Sequence, residues 1–260
     1  MRWRPTSERS TTPRPRSLSS RRCATFISGN GAALTGSYIA PQNGACVVFL
    51  HGSDSDRRQL LPEATILERA GYGALLYDSP GRGESNGYVH WDDGEREALQ
   101  QAIAFMLEGD APRCRHLGLA GFSLGAMIAL QVAVEDRRVE ALMLSGAFGD
   151  SEAMLKHQFR RWGWFSEYPA IWAAKLSGLR PSYKRPSDVV ASFRRPLWIV
   201  AGGADTAVPP ALGKTLFDAA QQPKAFWVVP GAHHGDSANA GGEEYARRLT
   251  AFFVAALPKS

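Results

Sequence analysis

The sequence predicts an α/β fold: a mostly parallel, doubly wound sheet that begins with an antiparallel hairpin. Three observations predict it. Continuous apolar runs of strand length recur along the chain, helical stretches separate them, and glycine or proline marks most of the boundaries. Unbroken Val/Ile/Leu-rich runs are the signature of parallel strands covered by helices on both faces.

The elements follow in order. CATFIS and AALTGSYIA flank Gly29-Asn30-Gly31, two β-rich runs around an Asn-Gly turn, and read as a hairpin. ACVVFL (45–50) is a buried strand ending in His51-Gly52. Residues 59–70 read as a helix stopped by Gly71, and 72–78 as a second buried strand. Residues 93–108 are amphipathic, with Ala98, Ile103 and Leu107 on one face. HLGLAGF (116–122) is a strand, and Ser123 to Val134 a helix of small and apolar residues. Strands at 139–147, 197–203 and 224–231, a helix after Pro209-Pro210, and a helix from Glu243 to Ala256 complete the alternation. It breaks once. Residues 148–195 contain no clear buried strand, are rich in aromatics and arginine, and read as a short helical insertion over the sheet, a lid.

The bulk properties bound the function. At 260 residues and 44% apolar content, the chain can bury a sizeable core. Its +5 charge is concentrated at one end. Residues 1–22 hold seven arginines and one glutamate, so the remaining 238 together carry −1. The body of the protein therefore gives no reason to expect a nucleic-acid partner. The Arg/Ser/Pro-rich segment lacks the apolar core of a secretory signal and reads as a disordered basic tail. A transit peptide or a surface tether is the alternative. The domain proper is expected over 23–260. Cys23, Cys46 and Cys114 are odd in number, and their spacing fits neither a metal site nor a disulfide framework, which suggests a reducing, cytoplasmic setting. No run is long and apolar enough to predict a membrane span.

In a doubly wound sheet, ligands bind beyond the carboxyl ends of the strands. AGFSLGAM places Ser123 where strand 116–122 meets a helix, between Gly121 and Gly125. A turn this sharp strains its central residue, and the two glycines remove Cβ atoms that would clash. The following helix points its N-terminal dipole at the same spot. A serine hydroxyl needs a base, and the base an orienting acid. AGGADTAVPP puts Asp205 just past one strand, and VVPGAHHGD puts His233 and His234 just past the next. His233 and His234 are adjacent and have no third ligand at helical or hairpin spacing, so no metal site is expected.

Four segments, FLHGSDSDR (49–57), YDSPGRGES (77–85), GFSLGA (121–126) and the pair GGADTAVP with PGAHHGD, make the chain resemble the α/β-hydrolase superfamily from about residue 23 onward, in its short-lidded esterase, thioesterase and depalmitoylase-like branch. The resemblance implies an α/β-hydrolase fold and a cofactor-free serine hydrolase. Its nucleophile, acid and base would be Ser123, Asp205 and His234, with Asp150, after the preceding strand, as the alternative acid because some members of the superfamily place it there. His234 rather than His233 aligns with the branch's Gly-Ala-x-His pattern. The oxyanion hole would be the backbone N–H groups of Ser53 and Leu124, so Ser53→Ala should do little and Ser53→Pro much. His51 is expected to be a structural hydrogen-bonder, and 78–85 a turn leaving the sheet. Phe159, Trp162, Trp164 and Phe165 in the insertion would form an apolar pocket. The expected substrate is a small-molecule carboxylic ester or thioester with a small-to-medium apolar acyl group. Acyl transfer by the same residues, or a hydrolase-shaped receptor with little turnover, are the alternatives. An aromatic, arginine-bearing face near Lys156, Arg160 and Arg161 leaves contact with a membrane as a minor expectation.

Overall fold

The computed structural model describes residues 21–27, 31–89, 93–108, 114–160 and 185–258. The basic segment 1–20, the hairpin turn and the aromatic stretch 161–184 lie outside them. So do the expected pocket residues Trp162, Trp164 and Phe165, and the side chain of Phe159.

Eight strands form one sheet in the order β1-β2-β4-β3-β5-β6-β7-β8. They are β1 (Arg21–Ile27), β2 (Ala33–Ile39), β3 (Ala45–Leu50), β4 (Gly73–Tyr77), β5 (His116–Phe122), β6 (Val139–Ser145), β7 (Leu197–Gly202) and β8 (Lys224–Val229). The first two form the expected hairpin, β2 also runs antiparallel to β4, and the remaining neighbours are parallel. β1 begins at Arg21, two residues before the expected domain start, because Arg21 pairs with Ile39 in the hairpin register.

Helices cover both faces. Among the described residues the α-helices are α1 (Leu61–Arg69), α2 (Asp93–Glu108), α3 (Leu124–Glu135), α4 (Ser151–Arg160), α5 (Pro186–Val190), α6 (Pro210–Ala219) and α7 (Ser237–Ala256). Alternation along β3 shows how the core divides. Cys46, Val48 and Leu50 pack into one apolar layer with α2, α3 and Leu216 of α6. Ala45, Val47 and Phe49 pack into the other with Leu67 of α1 and Tyr245, Leu249 and Phe253 of α7. Every residue of β3 is buried, so the unbroken apolar run is explained by two layers rather than one.

The insertion has a defined base. Ser187 donates twice to the Gly149 carbonyl, from its N–H at 3.0 Å and its hydroxyl at 2.6 Å. The Gly149 N–H donates to the Leu212 carbonyl at 3.1 Å. Departure and return of the chain are thus pinned at one point beside α6. Asp150 caps α4, its Oδ1 accepting from the N–H groups of Glu152 at 2.8 Å and Ala153 at 3.0 Å.

One expectation is overturned. Cys46 and Cys114 form a disulfide, with Cα atoms 5.6 Å apart. The two are 68 residues apart in sequence, but β3 and β5 are neighbours, with Ala45 opposite His116. Cys114 lies two residues before His116, within cross-linking distance of Cys46. Only Cys23 is a free cysteine among the described residues, and it is exposed. A reducing setting therefore no longer follows from the cysteines. Among the described residues, no helix is long and apolar enough to cross a membrane.

The α1–α7 contact buries a carboxyl. Glu63 is 6% exposed, and its Oε1 accepts the Tyr245 hydroxyl at 3.2 Å. Burial raises its pKa from 4.5 to about 7. A carboxyl whose folded pKa is raised contributes its full stability below its unfolded pKa of 4.5 and loses it as pH rises toward 7. Glu63→Gln removes this ionisation. Relative to wild type, the variant should gain up to about 3 kcal/mol between pH 4.5 and pH 8, at 1.36 kcal/mol per pKa unit. Urea unfolding at the two pH values tests this; an equal difference at both would refute it.

Candidate active site

The site is assembled at the carboxyl ends of β3, β5, β6, β7 and β8. Ser123 stands between β5 and α3 with φ 52° and ψ −116°, the one non-glycine residue with positive φ among the described residues. Such a backbone costs about 1–3 kcal/mol and persists only where its surroundings enforce it. Here the Ser123 N–H donates to the Ser145 carbonyl of β6 at 2.9 Å, and its carbonyl accepts from Ala126 N–H at 3.0 Å. The flanking glycines are required by packing. A Cβ on Gly121 would lie 2.5 Å from the Gly125 carbonyl oxygen, and one on Gly125 2.5 Å from the carbonyl oxygens of Leu50 and His51.

Ser123, His234 and Asp205, which the sequence singled out, come together. His234 Nε2 is 3.2 Å from Ser123 Oγ, and its Nδ1 is 2.7 Å from Asp205 Oδ2. The carboxylate accepts a hydrogen bond from Nδ1–H, which leaves the Nε2 lone pair facing the hydroxyl. The other Asp205 oxygen accepts the N–H groups of Ala207 at 2.9 Å and Val208 at 2.8 Å. The side chain of Asp205 is 2% exposed and that of His234 28%, so the acid is sealed while the base meets solvent. Asp150, the alternative acid, is engaged at the α4 cap. His233 is exposed, and its carbonyl accepts the Asp236 N–H.

The two expected oxyanion donors occupy the expected loops. Leu124 is the first residue of α3, and its N–H has no acceptor within the helix. Ser53 follows Gly52 in the loop after β3. His51 holds that loop. Its ring is buried, its Nε2 accepts the Ser79 N–H at 3.0 Å, and its Nδ1 donates to the Gly52 carbonyl at 2.7 Å. Burial lowers its pKa, which agrees with a neutral ring using one nitrogen as acceptor. Gly52 C=O and Ser53 N–H belong to one planar peptide and point in opposite directions, so pinning the first orients the second. A second stitch joins the same loop to the turn after β4. The buried carboxylate of Asp78 accepts the Arg57 N–H at 2.7 Å, the Glu84 N–H at 2.9 Å and the Arg57 guanidinium. The turn at 78–85 is structural, as its sequence suggested.

Sequence reasoning missed the residue between Gly121 and Ser123. Phe122 is 5% exposed, and its ring centroid is 4.6 Å from that of His234. The motif names this position as a variable one, so nothing local marks it.

A strained serine, an imidazole and a sealed carboxylate at the strand ends of a parallel sheet define the hydrolase class of α/β proteins. The chain belongs to the alpha/beta hydrolase family, whose model matches residues 47–248. An uncharacterized protein of Mycobacterium tuberculosis (strain H37Rv) is 30% identical over 202 residues, covering 75% of this chain and 64% of the relative's length. The uncharacterized protein YfhR of Escherichia coli K12 is 22% identical over 241 residues, 89% of this chain and 80% of YfhR. Among solved structures, the Pyrococcus furiosus esterase Pf2001 matches with a TM-score of 0.76 at 20% identity, over 90% of each chain, a likeness of fold.

Proposed function

We propose that the protein is a serine hydrolase that cleaves a carboxylic ester or thioester through an acyl-enzyme. The observation that carries this reading is the unbroken relay from Asp205 through His234 to Ser123, at 2.7 and 3.2 Å, on a strained strand–helix turn.

Ser123 Oγ attacks the carbonyl carbon as His234 Nε2 takes its proton. Asp205 holds the tautomer and stabilises the imidazolium. Charge develops on the carbonyl oxygen, and the N–H groups of Ser53 and Leu124 receive it. His234 then protonates the leaving alcohol or thiol. Water, deprotonated by the same nitrogen, releases the acid and restores Ser123. The insertion would act as a lid, with Phe159, Trp162, Trp164 and Phe165 shaping an apolar acyl pocket of small to medium size. Membership of the alpha/beta hydrolase family and the likeness to a structure named an esterase support the reaction class.

The test is a series of p-nitrophenyl esters from acetate to palmitate, with fluorophosphonate labelling followed by peptide mass spectrometry. Steady turnover on a short or medium ester and a single label on Ser123 are expected. Absence of both turnover and label would sink the proposal. Ser53→Ala should stay within about threefold of wild type in kcat, whereas Ser53→Pro, which deletes the donor, should lose about 100-fold or more.

A further inference from the structure

Phe122 offers no chemistry of its own, yet its ring is where three loops meet. Glycines from three separate strand ends approach it so closely that a side chain on any of them would press into it. A Cβ on Gly52 would stand 3.0 Å from ring atom Cδ1, one on Gly146 3.1 Å from Cε2, and one on Gly235 3.2 Å from Cζ. The Cβ position of Gly146 is also 3.2 Å from Cε1 of His234. Gln59 links two of the three loops. Its Oε1 accepts the Gly52 N–H at 2.8 Å, and its Nε2 lies 3.5 Å from the Cβ position of Gly235. The ring faces the His234 imidazole with the planes inclined at 48°.

We propose that Phe122 is a positioning residue: seated in a socket of Gly52, Gly146 and Gly235, its ring is the floor that holds the His234 imidazole within reach of Ser123 Oγ. This deepens the proposed function and rests on it. The physical need is plain. The hydrogen bond from Nδ1 to Asp205 fixes one atom of the imidazole but leaves the ring free to swing about that bond. A wall against its face removes the freedom, and a tilted aromatic pair adds attraction of its own. A displacement of about 1 Å at a reacting atom costs roughly 100-fold in rate. The same ring touches the loop of Gly52, so one side chain sets base and oxyanion loop against a common reference.

The experiment measures kcat and KM on a p-nitrophenyl ester, with the rate and final extent of fluorophosphonate labelling, for Phe122→Leu, Phe122→Ala and Gly146→Ala. Phe122→Ala should lose about 100-fold in kcat and Phe122→Leu about 10-fold, with KM within about threefold. Labelling should slow in parallel yet still approach one label per chain. Gly146→Ala keeps the Phe122 side chain but crowds both rings and strains a backbone at φ 60°, and should lower kcat by about 10-fold or more. If instead the labelled fraction falls while the surviving sites keep wild-type kcat, the ring is only structural and the inference is wrong. Wild-type kcat and labelling rate in Phe122→Leu would also overturn it. If Phe122→Ala does not fold, Phe122→Leu decides. Ser123→Ala separates the two levels. A turnover-competent Ser123→Ala would defeat the relay itself, while a silent Ser123→Ala beside a fully active Phe122→Leu would defeat only the role of the ring.

Discussion

Replacing Ser123 by alanine is expected to lower kcat on a p-nitrophenyl ester by about 10⁴-fold or more, with fold and stability intact. Alanine cannot form the acyl-enzyme, and the remaining groups can only polarise the carbonyl. The strained backbone survives the change, since it is imposed by Gly121, Gly125 and the Ser145 carbonyl rather than by the hydroxyl. Asp205→Asn belongs to the same experiment and should cost about 10⁴-fold, because an amide would favour the wrong tautomer of His234. Asp150→Asn should leave kcat within about threefold, since Asp150 serves the N-terminus of α4. Equal losses at Asp150 and Asp205 would contradict this assignment of the acid.

The second large effect concerns the cross-link. Opening the Cys46–Cys114 bond is expected to lower stability by about 4 kcal/mol, the chain-entropy value for a closed loop of 68 residues. Both cysteines are buried, at 0% and 5% exposure, so a mild reductant should act slowly on the native protein and quickly once it is unfolded. Urea midpoints of the oxidised protein and of a Cys46→Ser/Cys114→Ser variant give the difference. Thiol titration in denaturant should count one free cysteine in the oxidised protein. Three free thiols, or matching midpoints, would remove the cross-link from the account of stability.

Much of this was legible in the chain. The strands at 45–50 and 116–122 and the helix at 93–108 have the bounds that their apolar patterns suggested. The relay was legible too, because each member sits directly past a strand recognisable on its own. The last helix was read from Glu243, whereas α7 starts at Ser237. Gly242, at φ 50° and ψ −130°, breaks it there, so the pattern reported the regular part. Other features were invisible for a common reason. The disulfide depends on β3 and β5 being neighbours, which no spacing within 68 residues discloses. The placement of Phe122 depends on three glycines, each unremarkable in its own segment, meeting in space. The short α5 at Pro186–Val190 has too few residues for a period to be read.

The paired hydrogen bonds from Ser187 to the Gly149 carbonyl have a further consequence. A segment whose two ends meet at one residue behaves as a detachable module. Beyond α4, which His157 Nε2 ties to the Thr206 carbonyl at 2.9 Å, what lies between them can lengthen, shorten or change character without pulling on β6 or β7. If the segment serves as the proposed lid, variation in this region would retune which molecules are admitted while the chemistry beneath stays the same.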